Sequence, residues 1–209
     1  MKLDFEIELL SPMHLGSGKG DVVIDAEVVH DEYGLPYFPA KRLKGLLYES
    51  ALEVAEMCQC AGTDMVTKKD VEHAFGKTES NVELFVHDLY LQDYENLRRQ
   101  WQYLQKKFKK LISSRDVLDA YTSIRYQTEI DNKTGTKAKG SLHNMRVVDG
   151  GLKFDGTIEL LNGNDKDVKV LVLAAANLRY AGAKRNRGFG EIACRFPTYK
   201  IENMLGGGK

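Results

Sequence analysis

The octapeptide Lys2-Leu3-Asp4-Phe5-Glu6-Ile7-Glu8-Leu9 decides how the rest of the chain is read. Leu3, Phe5, Ile7 and Leu9 fall on one side, and Lys2, Asp4, Glu6 and Glu8 on the other. That period of two specifies a strand with one buried face. It ends at Ser11-Pro12, because proline has no N–H to give to a ladder. A loop with Gly16, Gly18 and Gly20 follows, then an extended stretch from Ile24 to Val29 and a turn at Asp31-Glu32-Tyr33-Gly34. Pro36 and Pro39 hold the next residues extended. From Lys41 the period changes: Leu43, Leu46, Leu47, Ala51 and Val54 recur three or four apart, as on one face of a helix.

Further along, Thr67-Lys68-Lys69-Asp70 forms a capping box ahead of a short helix closed by Gly76. Val82 to Leu91 alternates as a strand, and Asp93 to Ile112 is patterned as a helix. Its apolar stripe of Tyr94, Leu97, Trp101, Leu104, Phe108 and Leu111 belongs to the core or to an interface. The other face carries Arg98, Arg99, Lys106, Lys107, Lys109 and Lys110, which is a solvated face or a contact for nucleic acid or a neighbouring subunit. Thr122 to Asn144 is polar and turn-rich, a long exposed loop or hairpin. A strand through Phe154 to Leu160, a core helix from Val168 to Tyr180, the Gly-rich segment Gly182 to Gly190 and a last strand through Ile192 and Cys194 complete the chain. The order fits an α+β, elaborated ferredoxin-like (RRM-like) fold. One domain over 1–209 is expected, with a helical insertion at about 57–120 and a disordered tail at about 203–209.

The chain has 209 residues, of which 43% are hydrophobic, enough for a real core. Its 30 Lys and Arg are matched by 30 Asp and Glu, so any nucleic-acid contact must come from local basic patches. Three cysteines, an odd number, argue against a disulfide framework. No apolar run approaches the ~20 residues of a membrane helix, and the N-terminus has no signal-peptide core. A cytoplasmic protein is expected. Cys58 and Cys60, one residue apart, have poor spacing for zinc.

Two basic constellations carry chemistry. In the Gly-rich segment, glycines let the backbone approach a phosphate while Lys184, Arg185 and Arg187 supply charge; the plainer reading is a tight turn. Lys41, Arg42 and Lys44 open the first helix, whose N-terminus is itself electropositive.

Four separated segments resemble the RAMP superfamily of CRISPR-associated proteins, especially the backbone subunits of type III complexes. They are Met13-His14-Leu15-Gly16-Ser17-Gly18; Ile24-Asp25 followed by Gly34-Leu35-Pro36-Tyr37-Phe38-Pro39 and Leu43-Lys44-Gly45; Arg125 to Asp131 with Thr134-Gly135-Thr136; and Arg185-Asn186-Arg187-Gly188-Phe189-Gly190. The resemblance implies a ferredoxin-like core with a thumb-like loop at about 122–146. It implies guide RNA and target RNA as partners, together with other CRISPR effector subunits and self-association along the guide. His14, Lys41, Arg42, Lys44, Arg125, Lys184, Arg185, Arg187, Gly188 and Gly190 would contact RNA. Asp25 would be the catalytic residue for target cleavage, with Mg²⁺ or another divalent metal; Asp21 and Asp31 are alternative ligands. Ala40-Lys41-Arg42 departs from the backbone pattern and is closer to type III-D subunits, some of which cap the guide's end without chemistry. A third reading, a metal-independent nuclease, would need a histidine base such as His14, His30 or His143.

Overall fold

The computed structural model describes residues 1–20, 24–79, 81–128 and 143–205. Its first strand, β1, runs Lys2–Leu9, with Leu3, Phe5, Ile7 and Leu9 all buried. A two-residue strand β2 (Tyr37–Phe38) leads into helix α1 (Ala40–Cys60), which buries Leu43, Leu47, Ala51 and Val54. Each fully buried leucine there contributes about 1.5–3 kcal/mol of transfer free energy. Helix α2 (Lys68–Ala74) has the capping box read from Thr67 and Asp70, and Gly76 just beyond it takes a φ of 66°.

The expected strand from Val82 to Leu91 is two strands, β3 (Glu83–Val86) and β4 (Leu89–Leu91). Both pair antiparallel with β7 (Lys153–Leu161), at Val86↔Ile158 and then Tyr90↔Asp155. The register slips by one residue between these pairs, the mark of a bulge. Gly156 lies opposite it, where a Cβ would stand 2.7 Å from the Leu89 side chain and 3.1 Å from the Asp88 carbonyl oxygen. The segment 57–120, expected as a helical insertion, therefore also supplies two strands of the main sheet.

Helix α3 spans Tyr94–Lys107, shorter than the sequence pattern, and buries no residue fully. Phe108 leaves helical geometry at φ −121°, and Leu111 is 76% exposed rather than on a packed stripe. Lysines at 106, 107, 109 and 110 repel one another there, and no packed partner offsets that cost. Short helix α4 (Ser114–Asp119) leads to a hairpin of β5 (Thr122–Gln127) and β6 (His143–Val148). The rest of the thumb-like loop, including Ile130, Asp131 and Thr134 to Thr136, lies outside the described residues.

Helix α5 (Asp165–Asn177) packs against α1 and α2, and β8 (Ile192–Arg195) pairs with β1. The main sheet has the order β8-β1-β7-β4-β2, with β3 beside β4 on the same edge of β7 and every neighbour antiparallel. Two interleaved β-α-β units give this arrangement, which is the ferredoxin-like core. A helical turn, α6 (Ile201–Met204), packs against α5, and residues 206–209 of the tail expected to be disordered lie outside the described residues. Among the described residues, no helix is long and apolar enough to cross a membrane.

Candidate nucleic-acid interface

Beyond β1 the chain crosses the end of the sheet as a glycine loop bridged to its neighbours. Gly16 pairs with Val28, and His14 pairs with Ala183. These bridges bring the first glycine loop, the segment around Asp25, the start of α1 and the Gly182–Ala183 turn around one open cleft of about 730 Å³. His14, Asp25, Lys41 and Arg42 all line it, joined by Lys19, Glu27 and Glu49. Three cations therefore face three carboxylates, and Glu27 is already paired, through a 2.7 Å contact with Arg146.

His14 is 8% exposed. Its Nδ1 lies 2.7 Å from the Arg146 carbonyl oxygen. A carbonyl can only accept, so Nδ1 carries the proton, and in the neutral ring Nε2 is left as an acceptor. That nitrogen lies against Gly16, where a Cβ would approach it to 2.8 Å. Glycine at 16 is thus what leaves room for the imidazole at the cleft wall.

The α1 end of the cleft differs from expectation in two ways. The Ala40 N–H donates to Asp88 Oδ1 at 2.7 Å, so a carboxylate already covers the electropositive helix terminus. Lys44 turns away from the cleft, its Nζ donating to the Leu84 carbonyl at 2.8 Å, where it braces β3. Lys41 and Arg42 are left as the basic side chains of this patch that face the cleft. The Arg42 guanidinium donates to the Gly16 carbonyl, tying α1 to the glycine loop.

The second glycine segment divides into an open half and a closed half. Lys184 has a left-handed backbone and its ammonium donates to Gln127 on β5. Arg185 and Arg187 form an exposed 3₁₀ turn, and Gly188 follows at φ 78° with open space where a Cβ would stand. Gly190 is different. Its N–H donates to the Pro12 carbonyl at 2.9 Å, and its carbonyl accepts from the Ala181 N–H at 2.8 Å. At φ 77° a Cβ there would lie 1.9 Å from the Ala181 oxygen. Gly190 therefore fixes the turn and has no amide to offer a phosphate, whereas Gly188 leaves the loop surface clear. Arg125 is exposed on β5, away from the lining of the cleft.

Asp25 stands exposed on the cleft rim, clasped by the start of β6. The Asp25 N–H donates to Asn144 Oδ1, and the Asn144 N–H donates to Asp25 Oδ2, both at 2.8 Å. His143 Nδ1 is 3.6 Å from the same carboxylate oxygen. Among the described residues no group of three His, Cys, Asp or Glu is arranged to hold a metal. The donor set fits only a hydrated ion held by one carboxylate together with phosphate oxygens, a mode that Mg²⁺ accepts. Asp31 is committed elsewhere: Oδ1 accepts from the Tyr33 and Leu35 N–H groups and Oδ2 from the Tyr94 hydroxyl. Asp21 lies outside the described residues.

The sequence pattern did not single out Arg146 as the residue joining these parts. It is 1% exposed, donating to Glu27 and Thr122 and pairing with Asp119, while its carbonyl holds His14. Its partners lie up to 132 residues away, so no local spacing announces them.

No curated protein sequence is significantly similar to the chain. Solved structures are. A chain from a cryo-EM structure of the type III-B Cmr-β complex bound to cognate target RNA superposes with a TM-score of 0.65 at 15% identity, covering 98% of both chains. A chain from the apo state of type III-B Cmr-β gives 0.63 at 14% identity, covering 94% of this chain and 97% of that one. At such identity these matches establish the shared fold. The family profile of the RAMP superfamily matches residues 6–193, nearly the whole of the ferredoxin-like core with its glycine loops. The chain belongs to the RAMP superfamily.

Proposed function

We propose that the chain is an RNA-binding subunit of a type III CRISPR effector complex, holding guide RNA in the cleft and cleaving bound target RNA at Asp25 with a divalent metal. One observation carries the reading: segments from opposite ends of the chain, His14 to Gly20 and Gly182–Ala183, meet Lys41 and Arg42 around one cleft with a carboxylate on its rim. Lys41, Lys19 and the exposed Lys184–Gly188 turn are suited to phosphates, and His14 Nε2 can accept from a 2′-hydroxyl. Asp25 Oδ1, which takes no hydrogen bond among the described residues, is the atom that would hold the ion. When bound, the metal would stabilise charge on the scissile phosphate. The type III-B structures that share the fold, one of them with target RNA, support guide and target RNA and other effector subunits as partners.

The experiment is target cleavage by the assembled complex carrying Asp25→Ala. Loss of cleavage with guide and target still bound is the expected outcome, and unchanged cleavage removes the catalytic role. The reciprocal Asp25–Asn144 clasp favours a second reading, a non-catalytic cap at the guide's end, in which Asp25 only fastens the hairpin. Copy number separates the two, since several copies per complex require self-association along the guide and one copy fits the cap.

A further inference from the structure

From Arg98 to Arg115 the chain carries seven Lys and Arg and no Asp or Glu, although the whole chain is charge-balanced. A merely solvated helix face intersperses opposite charges three or four residues apart, which stabilises it. This one does not. Favourable placement at a helix C-terminus accounts for Lys106 and Lys107 alone. Arg99, Lys106, Lys107, Lys109 and Lys110 are all exposed, and none has an ion-pair partner among the described residues. Two rings stand among them: Tyr103 is 59% and Phe108 39% exposed. The Lys107 ammonium lies 5.4 Å from the first ring centroid and 5.5 Å from the second. Helix α3 is fastened to the body by its other side, through Tyr94 to Asp31, Gln102 to Tyr33 and Trp101 to Tyr121. None of the ridge residues lines the cleft.

We propose that this ridge, from Arg99 to Lys110, is a second nucleic-acid site that binds single-stranded RNA without sequence preference. Unpaired cations meet the phosphates, and Tyr103 and Phe108 present faces on which bases stack, the combination single-stranded nucleic acid requires. The occupant is a length of RNA beyond what the cleft holds. A site of this kind retains RNA that extends past the subunit, and it acts whether or not Asp25 is catalytic.

The test uses the full chain and a fluorescent 20-nucleotide oligouridine, with anisotropy titrations at several salt concentrations. Each released counterion contributes about 0.7 to the slope of log K against log salt for a single strand. Changing Lys106, Lys107, Lys109 and Lys110 together to Gln is expected to lower that slope by about 2–3 and weaken binding at least tenfold. Tyr103→Ala alone should weaken it about tenfold. The cleft variant Lys41→Gln/Arg42→Gln should keep the ridge's share of the slope, so failure of the cleft reading and failure of this one are distinguishable. Unchanged affinity and slope in the fourfold variant overturns the proposal, as does absence of binding by the unmodified chain. Normal RNA binding by the fourfold variant with lost assembly would make the ridge a protein contact, and also overturns it.

Discussion

Asp25 and Asn144 are joined twice across 119 residues, each backbone N–H donating 2.8 Å to the other's side chain. The pair locks the loop after the first glycine turn to the first residues of β6. Whatever Asp25 does, this clasp holds its carboxylate in one place without any ligand.

This makes Asn144 a positioning residue if Asp25 is catalytic. Asn144→Ala removes the acceptor for the Asp25 N–H and lets the loop shift, and misplacement of a reacting group by about 1 Å can cost ~10²-fold. Single-turnover target cleavage by the assembled complex should fall at least tenfold with guide binding intact. Unchanged cleavage would mean that the clasp serves only the fold.

The two glycines of the last loop should separate cleanly. Gly188→Ala meets open space and costs about 1–2 kcal/mol for the left-handed backbone alone. Gly190→Ala adds a collision with the Ala181 oxygen and should cost several times more, or prevent folding. Urea unfolding of both variants checks this, and similar midpoints would contradict it.

Arg146→Ala leaves Glu27 with an unpaired, largely buried carboxylate and removes the donor to Thr122 Oγ1, which still donates to the Leu118 carbonyl. The expected loss is about 3 kcal/mol, at the low end for a broken buried pair because Asp119 is half exposed. It should appear in the urea midpoint of the isolated chain. A loss below about 1 kcal/mol would show that the network is not structural.

Much of this was legible in the residues, and where it was not there are physical reasons. The alternation of β1 and the capping box of α2 are local patterns, and local patterns survive into the fold. The bulge between β3 and β4 has a sequence trace that a period-two reading passes over: Leu84 and Val86 lie at even positions, whereas Leu89 and Leu91 lie at odd ones. The apolar spacing of helix α3 continues to Leu111, but that side chain is 76% exposed and the helix ends at Lys107. In the cleft, the sequence leads one to expect that Lys41 to Gly45 and Lys184 to Gly190 flank one path with His14; the structure brings His14, Lys41, Arg42, Gly182 and Ala183 together and adds Asp25 to the same rim. Nothing in the local sequence signals that the Leu84 carbonyl takes the Lys44 ammonium, or that the Gly190 amide is bonded to Pro12. Arg146, with partners at positions 14, 27, 119 and 122, can be recognised only once the chain is folded.

The three thiols should differ sharply in reactivity. Cys194 is only half-buried as a residue, but its thiol faces the core, and burial pushes its pKa up to about 12. At pH 8 its thiolate is on the order of one part in 10⁴, and the thiolate is the reactive form. Cys60 is exposed. Mass spectrometry after iodoacetamide at pH 8 should find Cys60 modified first and Cys194 modified only after unfolding. Early labelling of Cys194 would show that the β1–β8 edge opens.

The central claim, that guide RNA runs through the cleft between the two glycine loops, is tested most directly by ultraviolet crosslinking of the assembled complex to its guide, with the attached peptides mapped by mass spectrometry. The account predicts crosslinks within His14 to Gly20, Lys41 to Arg42 and Lys184 to Gly188. Guide crosslinks confined to other surfaces, with none in these three segments, would contradict it.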